Sequence, residues 1–168
     1  MPFLKQIKVN HSKCKNAKSP LFTGHFVTIA KEIKTAQKVV LRLLDTCALI
    51  WLVNGAPELS AAARRACSDP NARLYVSAAS AWEIALKHAR GKLALAGSVS
   101  NWWPQALARH GLVELPITGE IAIASTALPG VHADPADRLL IATAQQCQLT
   151  LLTPDLMIAK YLNLTVLW

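Results

Sequence analysis

Acidic residues are scarce in this chain: 168 residues include ten Asp and Glu against eighteen Lys and Arg, for a formal charge of +8. Other shortages narrow the field. Seven Gly and nine Pro are no enrichment, and no period of about 20–50 residues repeats, which together exclude collagen-like, disordered and solenoid classes. The longest apolar runs are broken by charges well short of a membrane span. Lys5, Lys8, Lys13, Lys15 and Lys18 crowd the first stretch without a continuous apolar region behind them, so a secretory signal is not expected and the cytoplasm is the expected location. Cys14, Cys47, Cys67 and Cys147 form neither a CxxC pair nor a Cys/His cluster, which argues against structural zinc and for packed, reduced thiols. Apolar residues make up 52% of the chain, enough for a substantial core in one domain.

The positive charge is unevenly placed. Residues 1–42 carry nine Lys/Arg and one acid, Glu32, whereas residues 43–168 carry nine of each. The global charge therefore says little about what the folded part binds. Residues 1–38 have neither helical nor strand periodicity and are expected to be a basic extension outside the fold. A start assigned too far upstream, with initiation near Val39–Leu41, is the preferred explanation; a phosphate-engaging basic tail is the alternative. Residues 39–168 form the expected domain.

From Val39 the pattern is α/β. VVLRLL reads as a buried strand and TCALIWLV as a helix; LSAAARRACSD is a helix capped by Ser60. LYVS is a strand, SAWEIALKHARGKL carries a helix ending near Gly91, and SVSNWWPQALARHG is a helix with Pro104 in its first turn. LVELP is a strand, TGEIAIASTALP and DPADRLLIATAQQCQ are helices, LTLLT is a strand, PDLMIAKYL a helix and LTVLW the last strand. Alternation of this kind predicts right-handed crossovers and a mainly parallel central sheet between helical layers.

Four of the scarce acids, Asp45, Glu83, Asp137 and Asp155, stand where strand-like runs give way to helices. Strand C-termini of a parallel sheet share one edge, so the four can converge. Each also has a capping explanation. Ser80-x-x-Glu83 fits a capping box, and Glu83 with Lys87 fits an i,i+4 ion pair. Asp134-Pro135-x-Asp137 fits an N-cap, a first-turn proline and an acid on the helix dipole; Thr153-Pro154-Asp155 reads alike, and Asp45 can cap the first helix. Capping does not explain why Asp45 directly follows an apolar strand, where an unpaired charge is costly. A shared divalent cation accounts for all four, and spacing alone reaches as far as an acidic, metal-binding pocket.

Longer motifs add to this. LLDTCALIWLV, VSAASAWEIALKHARGKL, LPITGEIAIASTALPGVHADPADRLLIATA and LLTPD resemble, in order and spacing, the successive motifs of PIN-domain proteins, most of all VapC-type toxins. The resemblance runs from about Val40 to Trp168. It implies a PIN-like three-layer α/β/α fold and an endoribonuclease using Mg²⁺ or Mn²⁺, the toxin of a type II toxin–antitoxin pair. It also implies an RNA substrate, a cognate antitoxin and a homodimer. The family's acids fall on Asp45, Glu83 and Asp137 as catalytic and metal-binding residues, with Asp155 as a fourth metal ligand. Asp134 is a less certain participant in the DPxDR submotif, and Thr46 and Thr153 would orient neighbouring carboxylates. Departures are Cys47, where a small or imidazole-bearing residue is frequent, and Ala136, which replaces a common aromatic.

Positive groups near the acids are few. Lys87 and Arg138 are candidate phosphate contacts, set against ion pairing within the chain, and Arg90 and Lys92 extend the first group. His132 is a candidate general base, but its neighbourhood in sequence offers no partner. Trp51, Trp82, Trp102 and Trp103 at helical positions fit packing better than base stacking. Two rival functions are aspartyl-phosphate chemistry at Asp45 and a non-catalytic acidic binding module. The dehalogenase pattern wants an Asp where Cys47 stands, a receiver domain needs an upstream acid pair that is missing, and retention of four acids disfavours a purely binding role.

Overall fold

Strand β1 (Val40–Leu44) is the centre of a five-stranded, all-parallel sheet of order β3-β2-β1-β4-β5. The other strands are β2 (Ala72–Ser77), β3 (Val113–Leu115), β4 (Thr150–Leu152) and β5 (Thr165–Leu167). The computed structural model of the protein describes residues 39–168, and the expectations for residues 1–38, including Cys14, lie outside the described residues.

Adjacent residues on a strand face opposite ways, and here both faces are covered. Leu44, Leu74, Val76 and Leu152 enter one core with Ala48, Leu49, Ala63 and Ile84; Leu43, Tyr75, Leu115 and Leu151 enter the other with Leu140, Ile141 and Ile158. The first core packs α1 (Thr46–Asn54), α2 (Ala61–Cys67) and α3 (Ala78–Ala89) on the sheet, while the second rests on α6 (Pro135–Gln146). Helices α4 (Val99–His110) and α5 (Gly119–Ala127) complete the three-layer α/β/α arrangement. Arg42 is the one charge within β1. It is tolerated there because its guanidinium donates to the Ala66 carbonyl and pairs with Asp69 at 3.2 Å.

Helix ends follow the sequence signals in most places. Ser60 Oγ accepts from Ala63 N at 3.0 Å, Thr118 Oγ1 from Ile121 N at 3.1 Å, and Asp134 Oδ1 from Ala136 N at 2.8 Å. Gly55 closes α1 at φ 62°, a left-handed conformation that glycine adopts without a Cβ clash. Two expectations need correction. Pro104 lies in the second turn of α4, not the first, so the Ser100 carbonyl loses its helical donor. The expected helix in PDLMIAKYL shrinks to a 3₁₀ turn at Ile158–Lys160. Asp155 N donates to Thr153 Oγ1 and Met157 N to Asp155 Oδ1, and these side-chain turns take the amides a helix would use. Among the described residues no helix is long and apolar enough to cross a membrane, and Cys47, Cys67 and Cys147 are free thiols.

The order of the strands places the site. Among the described residues the chain enters at the middle strand, builds outward to β3, then returns to lay β4 on the other side of β1. The β1/β4 boundary is thus a topological switch point, where the ends of parallel strands open a crevice. Leu44 pairs in register with both Val76 and Leu152, so Asp45, Ser77 and Thr153 follow at one level. Truncating Leu43, which is fully buried, is expected to cost about 2–5 kcal/mol. Urea denaturation of the Leu43→Ala variant tests this, and a loss below 1 kcal/mol would contradict the central position of β1.

Candidate active site

Asp45 is held at that level by its own backbone, since Asp45 N donates to Leu152 O at 3.0 Å. Its Oδ1 accepts from Ala48 N at 2.6 Å, which caps α1, and the Thr153 hydroxyl bonds the same carboxyl group. Only 6% of the residue is exposed. Burial pushes its pKa up to about 6 against the pull of these hydrogen bonds, and the charge of Glu83 adds to the rise. The cap is real, and it does not by itself hold the buried carboxyl in the usual carboxylate range.

Glu83 corrects a sequence expectation. Helix α3 is capped by Ser77, whose Oγ accepts from Ala79 N at 3.1 Å, and Ser80 is buried inside the helix. No capping box forms there. Instead Glu83 Oε2 accepts from Thr46 Oγ1 at 2.5 Å, and Oε1 pairs with Lys87 Nζ at 2.6 Å. The i,i+4 pair is therefore present, though Glu83 is mostly buried. Burial alone would lower the pKa of Lys87, but the hydrogen bond and charge of Glu83 raise it.

Asp137 lies in the first turn of α6, positioned by the Asp134 cap and Pro135. Its pKa also rises to about 6. Burial is the main cause, His132 opposes it, and the charges of Asp134, Glu83 and Asp45 add to it. Asp45 follows β1, Glu83 lies in the second turn of α3, and Asp137, expected where a strand gives way to a helix, follows instead the loop between α5 and α6; the three act on one another through space. The Cys47 thiol sits among them. Burial first, and then Asp45, push its pKa to about 11, so it is a neutral neighbour.

Asp155 belongs to the same side of the sheet, but its partner is one the sequence did not disclose. His132 Nε2 lies 2.9 Å from Asp155 Oδ2, and His132 Nδ1 lies 3.3 Å from Asp137 Oδ2. The second contact is within ion-pair reach yet leaves the buried Nδ1 without a hydrogen bond. Burial works to raise the pKa of Asp155, but the hydrogen bond from His132 and the Met157 amide bring it below the ordinary carboxylate value. Among the described residues, His132, Asp137 and Asp155 are the trio whose ligand atoms all lie within 4.8 Å of one another.

Arg138 does not reach toward solvent as a phosphate contact would. Its Nε donates to Ser125 O at 3.1 Å, Nη1 to Pro129 O and His132 O at 3.0 Å each, and Nη2 to Leu128 O at 2.8 Å and Thr126 O at 3.4 Å. The guanidinium is a clamp on the segment between α5 and α6. Tyr161 secures the same segment: its hydroxyl accepts from His132 N at 2.9 Å and donates to Pro129 O at 3.1 Å. Lys87 remains as the positive group beside Glu83, with Arg90 and Lys92 following it in sequence. Trp51, Trp102 and Trp103 pack on the core as expected, with Trp51 5.6 Å from the Trp168 ring, whereas Trp82 is 51% exposed.

Residues 42–162 match the PIN domain family. The chain belongs to that family. Ribonuclease VapC22 of Mycobacterium tuberculosis is 36% identical over 114 residues, spanning 67% of this chain and 85% of that protein. Among solved structures, the PIN domain resembles VapBC2 from Rickettsia felis bound to a promoter DNA fragment (TM-score 0.56, 15% identity, 76% of this chain and 98% of that one). It also resembles DNA-bound VapBC from Salmonella typhimurium (TM-score 0.57, 16% identity, 76% and 97%). At these identities the structural likeness speaks to the fold alone, and that fold is the five-stranded parallel sheet of the PIN domain.

The raised pKa of Asp45 has a sign that can be measured. Its folded value of about 6 exceeds the reference 3.8, so the native state holds the proton more tightly. Stability then falls as pH rises through that window and stays lowered above it. Asn can still cap α1 without the charge. In EDTA, Asp45→Asn is expected to match the wild type below pH 4 and exceed it by on the order of 2–3 kcal/mol at pH 7, read by denaturant melts across pH. A wild type that is equally stable at pH 7 would overturn the burial argument. Arg138→Ala is expected to destabilise the protein by about 2–4 kcal/mol, because several carbonyls lose their donor at once; thermal melts test this.

Proposed function

We propose that this PIN domain is a metal-dependent endoribonuclease and the toxin of a toxin–antitoxin pair. The observation that carries this reading is the gathering of Asp45, Glu83 and Asp137 around the switch-point crevice, where two of them are pushed to pKa values of about 6 by burial and mutual repulsion. Identity of 36% to a ribonuclease supports it. Such a site favours a cation, because a hard divalent ion offsets both the desolvation and the repulsion. The donor set fits: carboxylate oxygens suit Mg²⁺ or Mn²⁺, and the orphaned, buried Nδ1 of His132 is a further polar atom in want of a partner.

Asp45 and Asp137 would be the principal holders of the ion, with Glu83 beside them. When bound, the cation makes its water more acidic and neutralises charge on phosphate oxygens. The chain supplies the rest. Thr46 and Lys87 fix the Glu83 carboxylate from two sides, which leaves lone pairs free to take the proton of the attacking water. Thr153 and the Ala48 amide hold Asp45 in one orientation. Lys87, with Arg90 and Lys92 further along, offers positive charge to the RNA backbone. Arg138, committed to its carbonyls, acts by shaping the segment that carries Asp134 and Asp137.

A cognate antitoxin and a homodimer belong to the same proposal. Trp82, adjacent in sequence to Glu83, and Leu156 and Met157, which follow Asp155, are exposed apolar groups, and such groups suit a protein partner. The reading is tested by RNA cleavage with Mg²⁺ or Mn²⁺. EDTA is expected to abolish cleavage, and Asp45→Ala and Asp137→Ala are each expected to lower it about a hundredfold or more. Cleavage that persists in either variant, with the fold intact by circular dichroism, sinks the assignment. Sequencing RNA ends from the active protein identifies the target.

A further inference from the structure

We propose that His132 is a metal ligand of this site through Nδ1, and that Asp155 is the carboxylate that orients it and is not itself a direct ligand. The inference rests on the carboxylate site proposed above and names a residue that changes its metal preference. Four features lead to it.

First, the residue is held at its backbone amide and carbonyl and at one ring nitrogen. Its backbone amide donates to Tyr161 and its carbonyl accepts from Arg138, while Nε2 lies 2.9 Å from Asp155 Oδ2. A loop histidine with an incidental role has no need of a buried tyrosine and an arginine clamp. Second, the Asp155 contact selects a tautomer. Asp155 accepts, so Nε2 carries the hydrogen, and in the neutral ring Nδ1 is left with its lone pair. Third, that lone pair has no donor. Nδ1 is buried and without a hydrogen bond, and the nearest group is an acceptor, Asp137 Oδ2, at 3.3 Å. Two bare acceptors facing each other are unfavourable, and a second ring proton or a metal cation between them relieves the contact; the metal cation is the occupant proposed. Fourth, the spacing suits one. Neighbouring ligands of an octahedral cation at about 2.1 Å are roughly 3 Å apart, close to the separation observed here.

A carboxylate that receives one ring N–H while the other nitrogen binds a metal is a recurrent way of fixing a histidine ligand. The arrangement Asp155–His132 has that form. It also explains why His132, Asp137 and Asp155 cluster so tightly: Asp137 and His132 hold the ion, and Asp155 holds His132. Imidazole suits transition metals, whereas Mg²⁺ favours oxygen alone. The site is therefore selective for Mn²⁺ over Mg²⁺.

The test uses the full chain, stripped of metal and titrated with MnCl₂ or MgCl₂ by calorimetry, together with pulsed electron paramagnetic resonance of the Mn²⁺-loaded protein. The wild type is expected to bind Mn²⁺ at least about tenfold more tightly than Mg²⁺ and to show ¹⁴N coupling from a directly bound imidazole. His132→Ala is expected to lose that coupling and about a hundredfold in Mn²⁺ affinity, with Mg²⁺ binding changed much less. Asp155→Asn keeps an acceptor for Nε2, so the coupling stays and the affinity drops about tenfold. Wild-type Mn²⁺ protein without nitrogen coupling overturns the proposal and does not depend on any variant folding. So does His132→Ala that binds Mn²⁺ as the wild type does. Parallel titrations of Asp45→Asn and Asp137→Asn separate the two levels. If they lose Mn²⁺ while His132→Ala does not, only the histidine assignment fails; if they retain it, the carboxylate site itself is wrong.

Discussion

A carboxylate placed directly after the central strand has little freedom: its backbone is tied to the neighbouring strand, and its side chain opens into the seam between two helical layers. Asp45 is in that position, and the surrounding structure answers it point by point. A helix N-terminus donates to it, a threonine hydroxyl from the adjacent strand end donates to it, and the topological switch leaves a crevice beside it. These donors do not suffice to keep it in the usual carboxylate range. The deficit is what makes the crevice a place for positive charge, and the positions of Glu83 and Asp137 deepen it.

How much of this was legible in the sequence follows from the range of the interactions involved. Strand–helix alternation, the caps at Ser60 and Asp134, and the junction position of Asp45 are local, and composition over a few residues carries them, whereas the segment before Asp137 is a loop after α5 and not a strand end. The Ser80-x-x-Glu83 pattern misled because two serines, Ser77 and Ser80, each match a cap, and only the end of β2 decides between them. His132 could not be weighted from sequence, since its partner Asp155 comes 23 residues later and meets it across the return of the chain to β4. By sequence Arg138 is a candidate phosphate contact or ion-pair partner, and for a similar reason it proves to be neither. Its acceptors are main-chain carbonyls, and no residue type announces them. The helix expected after Thr153 failed on side-chain turns that compete with helical amides over very short distances.

The positive groups near the crevice divide into two kinds. Lys87 stands beside the acids, partly exposed, and its pairing fixes the Glu83 carboxylate. Arg138 is spent inside the protein on the loop between α5 and α6. This division allows a domain of balanced charge to hold an acidic centre without a broad basic face. The loop is ordered by a cation and a tyrosine hydroxyl, and its apolar contacts supply the remainder. Order at His132 and Asp137 is thus polar in origin, and the burial of Tyr161 in the second core connects it to the sheet.

The shared register of β1, β2 and β4 bears on which changes in chain length the domain tolerates. Leu44 lies opposite Val76 and Leu152, and one residue added to or removed from β1 moves Asp45 by about 3.3 Å and exchanges the faces of every side chain in the strand. The two cores would then trade Leu43 for Leu44, and the carboxylate would leave the level of Thr153. A single-residue insertion or deletion here is far more damaging than a substitution. The turn at Asp69–Asn71 that leads into β2 is bound into the same register, since Asp69 pairs with Arg42 and the Asn71 carbonyl accepts from Val40 N.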